Sequence, residues 1–268
     1  TVVSDGQRKN FDLAIDATGV QGKVDEKVNT NHDSDFLTEY VYGGTFRGNF
    51  QYNEMILIIG PAGGTSWANP SIDGNGFVDD WKGWNFFTGN NNSIGAAYHG
   101  TRVAGVLGAK SHNNKGISGV SGGWNGSGVA MLSIVVAGDD PNSALIDDAI
   151  IYAVNQGARV INMSFRVYQS TAIDNALEYA YNNGCVLVAS AGNTLPNIRC
   201  GFGVWYPARH QRVIAVSGIT KTGDAYPSCE GPEVSISAPA GTVYDRDPLD
   251  YHIYTTIPNN QYGYASGT

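Results

Sequence analysis

His99 is the residue of this chain best placed to do chemistry. It follows a loop rich in glycine and asparagine, Gly89-Asn90-Asn91-Asn92-Ser93, and opens the run His99-Gly100-Thr101-Arg102-Val103-Ala104-Gly105-Val106-Leu107-Gly108. That run reads as a helix of small residues. An interior glycine costs a helix up to about 1 kcal/mol, so such a run implies close approach to a neighbour or a residue held at the helix start. A neutral imidazole in that position can serve as a general base; a histidine that only caps or packs the helix is the plainer alternative. Ser164, Ser190 and Asn193 form a second set of polar groups, each at or just after the end of an apolar run. A third set lies in Ile72 to Asp80, where Asp73, Asn75, Asp79 and Asp80 alternate with glycines. Calcium takes six to eight oxygen ligands on a tightly turned backbone. The loop lacks the glutamate that closes an EF-hand at the twelfth position, which favours a plain acidic turn over a calcium site.

The elements that must position these residues are legible from Ala130 onward. Ala130 to Ala137 reads as an apolar strand and Ser143 to Asn155 as an amphipathic helix, with Leu145, Ala149 and Ala153 at helical spacing and Gly157 past its end. Val160 to Ser164 predicts a second strand. Thr171 to Asn183 predicts a second helix, with Ser170 as its cap and Gly184 as its stop. Cys185 to Ala189 and Val213 to Val216 continue the alternation. Strands alternating with helices imply an α/β fold, doubly wound, with a mostly parallel sheet and helices on both faces. Ligands of such sheets bind beyond the carboxyl ends of the strands, where Ser164, Ser190 and Asn193 fall.

The first 55 residues are harder to read and are expected to form a divergent segment packed on, or preceding, a domain spanning 56–268. Phe11 to Asp16 predicts a short strand, residues 21–35 a solvated loop or short helix, and Glu39 to Phe50 a hairpin. Met55 to Ile59 predicts a buried strand ended by Gly60-Pro61, and Trp81 to Phe87 an aromatic cover for the sheet edge.

Composition narrows the function. A chain of 268 residues with 42% hydrophobic content buries a substantial core. Its net charge of −8 argues against nucleic acid or an anionic membrane as partner, and no apolar run approaches the roughly 18 residues of a membrane span. Of the three cysteines, Cys185 sits in an apolar run and reads as a buried thiol, whereas Cys200 and Cys229 sit in loop-like sequence where a disulfide is plausible. Low lysine with abundant tyrosine, asparagine, glycine and serine fits an extracellular protein. The chain opens at Thr1 without a signal-peptide pattern, as expected of a processed or excised segment.

The motifs also resemble those of a known family. His99-Gly100-Thr101-Arg102-Val103-Ala104-Gly105 resembles the active-site histidine segment of the subtilases, the subtilisin-like serine proteases. Asn113 to Val120, Gly157 to Ser164, Val188-Ala189-Ser190-Ala191-Gly192-Asn193, Tyr206-Pro207-Ala208, Val213 to Val216 and Ser237-Ala238-Pro239 are similar to further family segments in order, as is Tyr264-Ala265-Ser266-Gly267-Thr268 before the nucleophile. The resemblance runs from about residue 72 to the last residue. It implies that His99 is the general base, that Asn193 donates to the oxyanion, that Ser164 and its neighbours pair with a peptide or protein substrate, and that Ala189, Ser190, Ala191 and Gly192 wall a specificity pocket. It implies a peptidase needing no cofactor, calcium being at most structural.

Three departures qualify what the resemblance implies. The family pattern Gly-Thr-Ser stops here at Gly267-Thr268, so the nucleophile is expected at the following position, and the chain by itself is expected to be inactive. A second polypeptide segment, or self-association, is then expected to complete the fold. The family aspartate that orients the histidine ends an apolar strand; Ile56 to Ile59 has that character but leads to Gly60, while Asp16 sits in Ile15-Asp16-Ala17-Thr18-Gly19 with an inserted alanine, so either Asp16 or no acid of the chain orients His99. Finally, Ser164 precedes Phe165-Arg166, where the family carries Leu-Gly-Gly, and these two side chains either obstruct the pocket or turn away from it. A degenerate subtilase serving as a scaffold is the alternative.

Overall fold

The structure, a computed structural model, describes residues 2–4, 7–9, 55–60, 75–78, 80, 83–93, 99–123, 128–136, 143–194, 200–201, 203–242 and 248–268. The expected strand over Phe11 to Asp16 and hairpin over Glu39 to Phe50 lie outside the described residues. The short strands β1 (Val2–Ser4) and β2 (Gln7–Lys9) pair only with each other.

The remaining elements follow the apolar runs of the sequence. Strands β3 (Met55–Gly60), β4 (Gly83–Asn85), β5 (Ala130–Val135), β6 (Val160–Met163), β7 (Val186–Ser190), β8 (Val213–Ile219) and β9 (Val234–Pro239) form one seven-stranded sheet in the order β4-β5-β3-β6-β7-β8-β9. Helices α1 (His99–Gly108), α2 (Ser143–Asn155) and α3 (Thr171–Asn182) and a separate hairpin, β10 (Ile253–Ile257) with β11 (Gln261–Ala265), complete it. Ser170 caps α3 as expected: its hydroxyl accepts from the Ile173 N–H at 3.3 Å. Gly157 and Gly184, with φ of +81° and +82°, end the two long helices.

Pairing is parallel for β4 with β5 and for β6 through β9. Strand β3 departs from the pattern by running antiparallel to both β5 and β6. The expected strand exists and occupies a central slot in the sheet order, but its direction is reversed. Gly60 pairs with Ala130, at the start of β5, and Ile56 pairs with Met163, at the end of β6. Gly60, the position compared with the orienting acid, therefore sits at the sheet edge opposite the carboxyl ends of β6 and β7. A continuous apolar run satisfies a buried slot in either direction, since its pattern carries no polarity.

One face of the sheet is sealed by α2 and α3. Leu132, Ile134, Ile161, Met163, Leu187, Ala189, Val213 and Ala215 join Ile146, Ala149, Ile150, Ala153, Ile173, Ala176, Leu177 and Ala180 in one buried cluster. The α2 stripe runs through Ile146, Ala149, Ile150 and Ala153, leaving the expected Leu145 half-buried beside it. The alternate positions, Val160, Asn162, Val186, Val188, Ser190, Ile214 and Val216, face the other way and are only half-buried. Helix α1 covers part of that second face near β5: a Cβ on Gly108 would lie 2.6 Å from the Met131 Sδ. Helices thus occupy both faces, as expected, but they cover them unequally.

Candidate active site

His99 is the first residue of α1 and is half-buried. The small residues behind it do the packing the sequence implies. A Cβ on Gly105 would fall 2.1 Å from the Thr256 Oγ1 and 2.9 Å from the Thr256 backbone nitrogen, so any larger residue would push α1 off the hairpin. Thr255 and Thr256 donate their hydroxyls to the carbonyls of Arg102 and Thr101, at 2.8 and 2.7 Å. The start of α1 is thereby fastened to β10. These two threonines were not singled out in the sequence; their signal was a β-branched pair in the run leading to Tyr264.

The same hairpin delivers the chain to Asn193. Beyond β11, the Gly267 N–H donates to the Ala240 carbonyl at 2.9 Å. The Thr268 N–H and hydroxyl then both donate to the Asn193 Oδ1, each at 2.9 Å, while the Thr268 hydroxyl also meets the Ser190 hydroxyl at 2.7 Å. Two donors on the amide oxygen fix which end of the carboxamide is which. The Nδ2 end, with no hydrogen bond to any described residue, remains available to an incoming acceptor. Nearby, the His252 Nδ1 and the Ser266 hydroxyl are 3.0 Å apart, and that hydroxyl also accepts from the Thr242 N–H at 3.2 Å.

Segment 190–194 is held from the other side as well. The Cys229 N–H donates to the Gly192 carbonyl at 2.8 Å, and the Thr194 N–H to the Pro227 carbonyl at 2.9 Å. Cys229 is joined to Cys200 by a disulfide, which ties residue 200 to the same segment. Gly192, at φ +103°, lies under Trp205; a Cβ there would fall 2.5 Å from the indole Cδ2 and 2.9 Å from the Cys229 Sγ. Trp205 was missed in the sequence, although it immediately precedes Tyr206-Pro207-Ala208. The Tyr206 hydroxyl donates to Asp174 on α3. Burial first, and then the adjacent carboxylate, push that phenol far above its ordinary range. Cys185 is buried as expected; its thiol donates to the Ala158 carbonyl at 3.0 Å, and burial raises its pKa.

The two side chains after Ser164 part ways. Phe165 turns its side chain into the core, only 6% exposed, the second of the two outcomes the sequence left open. Ala189 and Ala191 are also fully buried, and offer a cleft only their backbone. Arg166 is exposed and lies over the Trp205 ring, its Cζ 4.6 Å from the centroid. Ser164 accepts from the Asn162 amide at 3.0 Å.

Of the acidic turn, Asp73 and Asp79 lie outside the described residues, as does Asp16. The described part does not fit a cation. Asp80 is 2% exposed, and its Oδ2 accepts from Asn75 Nδ2, the Tyr152 hydroxyl and Gln156 Nε2 at 3.0, 2.8 and 2.9 Å. The Asn75 Oδ1 is taken by the Phe77 N–H at 2.7 Å. These bonds make Asp80 the anchor of the turn on α2. No group of three or more His, Cys, Asp or Glu able to hold a metal occurs among the described residues.

Comparison with known sequences gives the family: a model of the subtilase family matches residues 18–268, and the chain belongs to that family of subtilisin-like serine proteases. The match begins after Asp16. The chain is 32% identical over 208 residues to a thermophilic serine proteinase of Bacillus sp. (strain AK1), covering 76% of this chain and 46% of that protein. It is 31% identical to thermitase of Thermoactinomyces vulgaris, covering 69% of this chain and 61% of thermitase. Over 54% of its length it is 37% identical to a halolysin-like extracellular serine protease, Nep, of Natrialba magadii, of which it spans 26%. The chain thus spans between a quarter and three-fifths of the length of these relatives. Among solved structures, a protease from Pseudoalteromonas arctica PAMC 21717 superposes with a TM-score of 0.52 at 27% identity, over 63% of this chain and 53% of that one.

Proposed function

We propose that this chain is part of a secreted subtilisin-like serine endopeptidase, and that its nucleophile is a serine directly after Thr268. A peptide lies along Ser164 as an added strand. His99 takes the proton of the serine hydroxyl as its oxygen attacks the scissile carbonyl. The negative oxygen of the tetrahedral adduct accepts from the Asn193 Nδ2, and His99 returns the proton to the leaving amine. Water then releases the acyl group by the same proton route. The reaction needs no cofactor. The observation supporting this reading most is the Asn193 carboxamide, with its oxygen held by both donors of Thr268 at 2.9 Å and its N–H₂ available. Asp16 is the candidate orienting acid, the alternative being that no acid of this chain orients His99. Residues 1–55 are proposed to precede or pack on the domain of 56–268.

The half-buried second face supports a further proposal. Ser190, which holds Thr268, lies on the same face as Val186 and Val188, so chain continuing from Thr268 is led onto that apolar surface. A following segment, or failing that a second copy, covers it.

The alternative, a degenerate subtilase acting as a scaffold, draws on the reversal of β3, which leaves Gly60 at the far edge. A fluorophosphonate probe separates the two. A product extended past Thr268 by its own coding sequence is expected to be labelled, and the His99→Ala variant and the 268-residue chain are not. A folded extended product that resists the probe, or a gene encoding anything but serine after Thr268, overturns the peptidase.

A further inference from the structure

We propose that Arg166 is the specificity-determining cation of this cleft, selecting a substrate with a carboxylate side chain on the residue just before the scissile bond; this rests on the endopeptidase reading above. Three segments meet at the place concerned. The Val167 N–H donates to the Tyr206 carbonyl at 2.9 Å, and the Trp205 N–H donates to the Ala191 carbonyl at 3.0 Å, lacing 164–167 and 189–193 to 205–208. Trp205 lies between the other two: a Cβ on Gly192 would touch its indole at 2.5 Å, and the Arg166 guanidinium carbon sits 4.6 Å from its ring centroid. One aromatic ring therefore separates Arg166 from the backbone next to Asn193.

The guanidinium carbon lies over the indole while the residue as a whole is exposed. A guanidinium matches a carboxylate with two parallel hydrogen bonds, and contact with the ring favours this place for the side chain. Burial of Phe165 in the core, at 6% exposure, fixes the alternation that turns Arg166 toward solvent. Among the described residues Arg166 enters no ion pair, in a chain whose net charge is −8. A cation without a counter-charge among the described residues, one ring away from the backbone next to Asn193, attracts an acidic side chain and repels a lysine or arginine. An aromatic side chain finds the indole face already covered.

The test uses internally quenched peptides that differ only in the residue before the scissile bond, with the product extended through its serine. Glu is expected to exceed Gln by about 10- to 100-fold in kcat/KM, the range for a hydrogen bond to a charged group, with the gap narrowing at high salt. Arg166→Gln closes the gap, and Arg166→Glu transfers the preference to Lys, a gain that misfolding cannot produce. Cleavage with Glu no better than Gln, or a preference that survives Arg166→Gln, overturns the proposal while leaving the peptidase intact. If no peptide is cleaved, the peptidase reading fails and binding decides this one. The same chain is titrated with C-terminally amidated peptides ending in Glu, Gln or Lys. Tighter binding of Glu that is lost in Arg166→Gln supports the cation site, and equal binding of all three overturns it.

Discussion

The two faces of the central sheet are finished to different degrees. On one, Ile161, Met163, Leu187 and Ala189 are sealed beneath α2 and α3, with Ile161 and Met163 fully buried. On the other, residues of the same strands, Val160, Val186, Val188 and Ile214, stay half-buried. The proposed chemistry lies along the second face and its edge, where Ser190, Asn193 and Thr268 meet. If stability resides in one face and the proposed function in the other, substitutions on the two should separate cleanly.

The largest effect is expected in the sealed face. Ile161→Ala removes a fully buried side chain and should cost about 2–5 kcal/mol of unfolding free energy, read by denaturant titration. A loss below about 1 kcal/mol would mean that the cluster is not the core. At the edge, Asn193→Ala in the serine-extended product should lower kcat by about 10²- to 10³-fold, or about 2.7–4 kcal/mol, with little change in KM. That magnitude is the one measured for subtilisin, the worked example of this family. A drop in KM-dependent binding without loss of kcat would remove the oxyanion role. Ser170→Ala should lower stability by about 0.5–2 kcal/mol through the lost cap of α3, without affecting probe labelling. Val188→Ser should be the mildest, within about 0.5 kcal/mol in the 268-residue chain. It should become clearly more costly in the extended product, and an equal cost in both would mean that nothing covers that face.

Much of this was readable in the chain. The helix at His99, the helices of 143–155 and about 171–182, the cap at Ser170 and the glycine stops all announce themselves through local spacing and terminal residues. The strand exits bearing Ser164, Ser190 and Asn193 were legible for the same reason, since an apolar run followed by small polar residues marks where a strand leaves the sheet. What resisted reading was long-range. Trp205 gained its place only because Gly192 and Arg166, distant in sequence, close on it from two sides. Asp80 read as part of an acidic turn, and nothing in its neighbours announced that Tyr152 of α2 and Gln156 just after it donate to its Oδ2.

Although the strands of 83–85, 234–239, 253–257 and 261–265 were not read from it, the sequence by itself determined the helices that begin at 99, 143 and 171, the strands of 55–59, 130–135, 160–163, 186–189 and 213–216, and which residues belong to the subtilase pattern. Those properties depend on neighbours within a few positions. Only the tertiary structure decided the direction of β3, the inward turn of Phe165 and outward turn of Arg166, and the anchoring of the Asn193 oxygen by Thr268. Each of these is settled by partners far along the chain, and a hydrogen bond or a packed ring across that distance leaves no periodic trace in the residues that make it.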